Sequence, residues 1–163
     1  MAAGTPRVVV IGVGNAYRRD DGLGPAVLDR LAEGDPLPGV RLVAETGETS
    51  RLIDAWCGAD LAIVVDAVRA EPARPGRIHR FTVPGRAPDG RQHGAASSHS
   101  LGLGEAVELA GLLDRLPARL VFFAVEVAEV GFGAGLSARV SAAAVEVAAR
   151  IRGELAAVGA GVG

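Results

Sequence analysis

The chain has 163 residues, of which 49% are apolar, and its formal net charge is −2 at pH 7. This length predicts one domain spanning residues 1–163 with a substantial core, and the balanced charge excludes nucleic acid as an expected partner. The single cysteine rules out an internal disulfide and favours a cytoplasmic setting. We expect no membrane partner, because no signal segment is evident and no apolar run reaches the ~18 residues of a membrane helix.

Short apolar runs rich in β-branched residues alternate along the chain with longer segments whose apolar residues have helical spacing. This alternation predicts nine elements. In chain order they are strand Arg7–Ile11, helix Gly24–Ala32, strand Val40–Ala44, helix Thr49–Cys57, strand Leu61–Val65, strand Arg77–Val83, helix Leu101–Leu116, strand Arg119–Val127 and helix Ser137–Val158.

Strands that are apolar on both faces and alternate with helices predict an α/β fold. We expect a three-layer sandwich, in which a twisted, mostly parallel (mixed) sheet of about five strands carries helices on both faces. A long polar loop, Pro84–Ser100, interrupts the pattern, and a loop of this length inside a compact domain is typically functional. The C-terminal tail, residues 159–163, is expected to be disordered.

A glycine-rich loop, "GVGNAYRRDDGLG" at positions 12–24, follows the first strand. Such loops often bind a nucleotide, but here Tyr17 occupies the place of the third glycine of that motif. Asp20 and Asp21 also stand where a pyrophosphate would lie, and anions repel one another. The loop therefore favours a cation. The residues expected to support it are Gly12, Gly14, Asn15 and Asp20, with Asn15 as a turn residue.

Three candidate metal ligands fall where strands or loops end. Asp21 follows the first strand, Asp66 ends the third strand in "LAIVVDA", and His99 in "SSHSLGL" closes the long loop. Ligands of open α/β sheets bind beyond the carboxyl ends of the strands. Two carboxylates and an imidazole suit Ni, Zn, Mn or Fe, and three protein ligands leave coordination positions open for a substrate.

Each candidate also has a purely structural explanation. The adjacent acids, Asp20 and Asp21, could be a helix N-cap and a first-turn acid. Asp66 could be the structural partner of an arginine, and His99 could simply be solvated. The other two histidines are weaker candidates, since His79 lies inside a predicted strand and His93 in the middle of the loop.

Taken together, these segments resemble the hydrogenase maturation proteases, over about Val8–Ile151. The family's opening pattern, G-x-G-N, four residues and D-[ED]-x-x-G, matches "GVGNAYRRDDGLG" with Asp21 as its second acid. The family's strand-ending aspartate falls on Asp66, and the histidine of its H-x-L-G/S-L motif falls on His99. Late in the chain, "FFAVEVAEVGFGAGLSARV" is similar to a family segment whose acid falls on Glu126.

This resemblance implies an endopeptidase that removes the C-terminal peptide of a nickel–iron hydrogenase large-subunit precursor. It implies that Asp21, Asp66 and His99 bind nickel supplied inside the precursor, and that another divalent metal such as Zn or Cd can occupy the site in vitro. The implied partner is the precursor, and the implied state is a monomer. The resemblance leaves open whether the metal is only recognised or also polarises the scissile carbonyl.

Two departures from the family pattern bear on function. Many members have glutamate in place of Asp21, and many have D-G-G-T-x-G where this chain has "ETGETSRL" at positions 45–52. Glu45 and Glu48 are possible substrate contacts in that stretch. The departure keeps a second hypothesis open, a non-catalytic metal-binding assembly protein of the same fold. A nucleotide-binding module is the third.

No side chain stands out as a nucleophile, and the catalytic residue stays unassigned. Cys57 follows Trp56 on an apolar helical face, so we expect it in the core. Serines at positions 97, 98 and 100 surround His99, but sequence neighbours rarely form a catalytic serine–histidine pair.

Overall fold

The computed structural model describes residues 6–83, 101–128 and 130–161. Within these ranges the chain forms five strands, four α-helices and one 3-10 turn, Arg19–Gly22. In chain order the others are β1 (Val8–Val13), α1 (Leu23–Glu33), β2 (Val40–Glu45), α2 (Thr49–Trp56), β3 (Leu61–Val68), β4 (Ile78–Val83), α3 (Leu101–Leu112), β5 (Arg119–Glu126) and α4 (Ala138–Gly161).

The strands form a single sheet with the order β2-β1-β3-β5-β4. β1, β2, β3 and β5 are parallel, whereas β4 runs antiparallel to β5 at one edge. The central strands are buried along almost their whole length, as expected for parallel strands covered on both faces. The predicted α/β class with a mixed five-stranded sheet is therefore confirmed.

Two apolar cores lie on opposite faces of the sheet. Along β3, Ile63 and Val65 face the core formed with α1 and α4, whereas Ala62 and Val64 face the core formed with α2 and α3. Because successive side chains of a strand point to opposite faces, β3 contributes to both cores. The predicted three-layer arrangement follows from this alternation.

Most predicted boundaries lie within one or two residues of those in the structure, whereas the ends of β3, α3 and α4 differ by more. β3 continues to Val68, so the prediction that the strand ends at Asp66 is wrong. The strand continues because β5 still pairs with it, with Asp66 opposite Ala124. α3 ends at Leu112 instead of Leu116, and Asp114 has a left-handed backbone (φ 56°) that a continuing helix cannot accommodate.

The expected disorder of residues 159–163 does not extend to residues 159–161, because α4 continues to Gly161. The extension past the predicted end at Val158 consists of Gly159, Ala160 and Gly161, and because only alanine is a strong helix former, intrinsic helix propensity does not account for it. In the part of the chain that the structure describes, no helix has the length and apolar character needed to cross a membrane.

Candidate functional site

A crevice opens between β1 and β3 at the carboxyl edge of the sheet. The two strands pair as far as Gly12 and Val65, after which β1 pairs only with β2 and β3 only with β5. The chain leaves β1 toward α1 on one face and reaches β3 through α2 on the other. Such a divergence of neighbouring strands is where open α/β sheets bind their ligands.

Asp66 is the first residue of β3 beyond this divergence. Its side chain is 4% exposed, which makes it one of three buried charged residues in the described ranges, with Asp20 and Glu126. The alternation along β3 places it on the face of α2 and α3. Burying a carboxylate costs free energy unless compensating groups surround it, and Asp66 does interact with surrounding groups in the structure.

The loop after β1 folds back against the sheet and carries Asp21. The N–H of Gly14, at φ 137°, donates to the carbonyl of Glu45 at the end of β2 (3.0 Å). The N–H of Asn15 donates to Oδ2 of Asp21 (2.9 Å), and Oδ1 of Asn15 accepts from the N–H of Tyr17 (2.8 Å). The 3-10 turn that contains Asp21 contacts β3. The turn that carries Asp21 therefore lies beside β3, the strand that carries Asp66.

Asp20 points away from its neighbour Asp21 and fixes the loop to α4. It is 1% exposed, and it accepts hydrogen bonds from the N–H of Ser137 (2.7 Å) and from the Ser137 hydroxyl (2.9 Å). Ser137 directly precedes α4, so the carboxylate also lies at the positive end of that helix. Sequence reasoning missed Ser137 as a partner, because 117 positions separate the two residues and only the fold joins them.

A cluster of charged side chains around one buried acid lies at the same edge, at the end of β5. Oε2 of Glu126 lies 2.7 Å from Nε2 of His79, and Oε1 accepts the N–H of Arg74 (3.0 Å). The Arg77 guanidinium lies 3.9 Å from the same carboxylate. Burial raises the pKa of Glu126. The hydrogen bonds from His79 and Arg74 and the charges of His79 and Arg77 outweigh it, so the net pKa is below its ordinary value.

Comparison with models of protein families shows which family this chain resembles. The model of the family described as hydrogenase maturation protease (HycI) matches residues 29–154, which is most of the chain. The chain belongs to this family. The predicted resemblance and the predicted class of enzyme, a hydrogenase maturation endopeptidase, are confirmed. The comparison with curated protein sequences gave no match.

Solved structures of hydrogenase maturation proteases have the same fold. A hydrogenase maturating endopeptidase HybD from E. coli superposes with a TM-score of 0.76 at 23% identity, covering 94% of both chains. A hydrogenase 2 maturation peptidase from a thaumarchaeon is 27% identical (TM-score 0.67; 91% of this chain, 97% of that one). A [NiFe] hydrogenase maturation protease HybD from Thermococcus kodakarensis is 25% identical (TM-score 0.68; 91% and 98%).

The structure describes two of the three predicted metal ligands, and the turn that bears one of them lies beside the strand that bears the other. These are Asp21 and Asp66; His99 lies outside the described residues, as does His93. The described ranges contain no group of three histidine, cysteine or acidic side chains able to hold a metal. The assignment of Asp21, Asp66 and His99 as metal ligands stays a prediction.

The two predicted substrate contacts have different surroundings. Glu45 ends β2 next to the first loop, and it lines an open pocket of about 420 Å³ together with Arg51 and Asp54. Glu48 is exposed at the start of α2, where its carboxylate lies 3.5 Å from Arg51 and 3.3 Å from the Ser50 hydroxyl. Only Glu45 adjoins the loop that carries Asp21.

The expectation that Cys57 lies in the core is wrong, because its side chain is exposed. α2 ends at Trp56, which is fully buried, and one residue later the backbone has left the helix and turned Cys57 outward. The cysteine lines an open pocket of about 350 Å³ with Arg7 and Arg41. That pocket is at the amino end of β1, so Cys57 lies at the opposite edge of the sheet from the crevice.

Proposed function

We propose that this protein removes the C-terminal peptide of a hydrogenase large-subunit precursor only after nickel has been inserted. In this proposal Asp21, Asp66 and His99 bind the nickel held in the precursor. The observation that carries it is the crevice between β1 and β3, where the turn bearing Asp21 contacts the strand bearing the buried Asp66. Family membership supports a protein substrate of this kind.

The chemistry of the crevice suits a cation held by another molecule. Asp66 is rigid because it lies inside a paired strand, and Asp21 is oriented by the N–H of Asn15. A single hydrogen bond of this kind orients a carboxylate without using its second oxygen. Preoriented carboxylates lose little conformational freedom on binding a metal, and two of them with an imidazole form a donor set that nickel accepts.

Dependence on nickel follows from the same charges. When a precursor without metal covers the crevice, the carboxylates lose contact with water and have no cation to pair with. Burying unpaired charges in this way is unfavourable. A loaded precursor supplies that cation, and the peptide next to the metal is then held against the carboxyl edge of the sheet. Cleavage thereby depends on completed metal insertion.

The test is cleavage of nickel-loaded and apo precursor, followed by mass spectrometry. We expect the loaded form alone to lose a C-terminal peptide, and Asp66→Asn and Asp21→Asn to slow its cleavage by more than about 100-fold, since each removes a metal ligand. Asp29→Asn is the matched control, because Asp29 is exposed on α1; it should cleave at the parent rate.

Two results would contradict the proposal in different ways. Equal cleavage of loaded and apo precursor would show that nickel is not sensed. Stable complex formation without cleavage of either form would favour a non-catalytic assembly protein and would direct attention to the "ETGETS" stretch at positions 45–50.

A further inference from the structure

Two aromatic side chains are almost fully exposed on neighbouring loops at the carboxyl edge of the sheet. Tyr17 is 76% exposed and Phe132 is 92% exposed. Tyr17 lies in the loop that leads to Asp21, and Phe132 lies in the segment between β5 and α4. Large aromatic side chains are costly to leave in water, and adjacent exposed ones are typical of protein interaction sites.

The backbone joins these two loops into one surface. The N–H of Gly133 donates to the carbonyl of Tyr17 (3.0 Å), and the carbonyl of Gly133 accepts from the N–H of Arg19 (2.9 Å). Asp20 and Ser137 connect the same two segments a few residues further on. A surface fixed in this way loses little entropy when a partner binds.

Two exposed arginines flank the aromatic pair. Arg18 and Arg19 precede Asp20 in the loop, and Arg19 extends its side chain over Gly133. Across the described ranges, neither arginine has an ion pair with an acidic side chain. The surface therefore combines apolar area with positive charge, which suits a polypeptide that carries apolar side chains flanked by carboxylates.

We propose that the surface formed by Tyr17, Arg18, Arg19 and Phe132 docks a segment of the precursor polypeptide next to its cleavage site. This inference rests on the proposed function for the identity of the polypeptide. The surface is continuous with the crevice, because Asp21 is only four residues from Tyr17 and belongs to the same hydrogen-bonded loop. A segment held on it extends directly to the carboxylates.

The test is the double variant Tyr17→Ser/Phe132→Ser, assayed for cleavage of the nickel-loaded precursor. We expect KM to rise at least about tenfold while kcat stays within about twofold, because the surface contributes binding and not chemistry. Leu112→Ser is the matched control. Leu112 is 81% exposed at the end of α3, which leads into the amino end of β5, and its loss should leave KM unchanged.

The remaining outcomes separate this inference from the proposed function. An unchanged KM in the double variant would overturn the docking surface while leaving nickel-gated cleavage intact. If the parent protein does not cleave the precursor, binding of labelled nickel-loaded precursor is measured by fluorescence anisotropy instead. A tenfold lower affinity of the double variant supports the docking surface, and an affinity equal to that of the parent overturns it. A parent dimer that the double variant converts to monomer would show that a second copy covers this face, and would also overturn it.

Discussion

At the scale of single residues, adjacent carboxylates in this protein have opposite surroundings. Asp20 is buried and accepts two hydrogen bonds from Ser137, whereas Asp21 is partly exposed and accepts one from Asn15. The predicted alternative of a helix N-cap and a first-turn acid is met only in part. α1 has no side-chain cap, whereas both acids lie in the single turn of the 3-10 helix, and Asp20 accepts hydrogen bonds at the start of α4. One acid holds the loop against α4, and the other stays partly exposed in the turn beside β3.

The pH dependence of stability should report the Glu126 cluster. The folded-state pKa of Glu126 is lowered, so folding favours the ionised form. Its contribution is complete above the ordinary pKa of a glutamate and is lost as pH falls through the lowered folded value. We expect Glu126→Gln to reduce the free energy of unfolding by about 1–3 kcal/mol at neutral pH, and the difference from the parent to shrink on acidification below about pH 4.

Urea unfolding at several pH values measures this difference. Glu146→Gln is the control, because Glu146 is exposed on α4 and pairs with Arg150 of the same helix (2.6 Å); its effect should stay within about 0.5 kcal/mol. A Glu126→Gln difference that is the same at neutral and acidic pH would show that the carboxylate charge does not contribute.

At the scale of elements, the contact between β1 and α1 depends on two glycines. A Cβ at Gly12 would lie 2.5 Å from the carbonyl oxygen of Gly24 and 2.8 Å from Cγ of Leu28. The obstacle is backbone, which cannot rotate away. We expect Gly12→Ala to destabilise the protein by about 1–3 kcal/mol and to impair cleavage, since it displaces the strand end that forms the crevice.

A glycine-to-alanine change at position 153 is expected to stabilise the protein, in contrast to Gly12→Ala. Gly153 lies inside α4 with nothing within 4 Å of an added Cβ, so alanine should stabilise the helix by about 0.5–1 kcal/mol. Thermal unfolding followed by circular dichroism compares the two variants. Equal effects would mean that the close approach of β1 to α1 has no energetic consequence.

At the scale of the whole molecule, the fold can be predicted from local sequence patterns. Parts of the candidate site cannot, because they depend on contacts between residues far apart in the sequence. Apolar periodicity identifies an element because each element buries its own face, and the sheet and its faces follow from the order of elements. The strand position of Asp66 depends on how far β5 extends, and the partner of Asp20 lies 117 positions away. Neither the strand position of Asp66 nor the partner of Asp20 can be predicted from a local sequence pattern. The prediction that Cys57 lies in the core is wrong because helical periodicity does not show that α2 ends at Trp56.

Metal binding at the crevice should stabilise the whole molecule, because a ligand that binds only the folded state shifts the unfolding equilibrium. At a free Zn²⁺ or Ni²⁺ concentration of about 100 Kd the gain is about 2.7 kcal/mol, which for a chain of this size raises Tm by about 5–10 °C. Differential scanning calorimetry should show this rise in the parent and in Asp29→Asn, and a chelator should reverse it. Asp66→Asn should show almost none, because under the proposed function this variant removes one of the three metal ligands. An equal rise in Asp66→Asn would place the metal elsewhere and would remove the support that this crevice gives to nickel recognition.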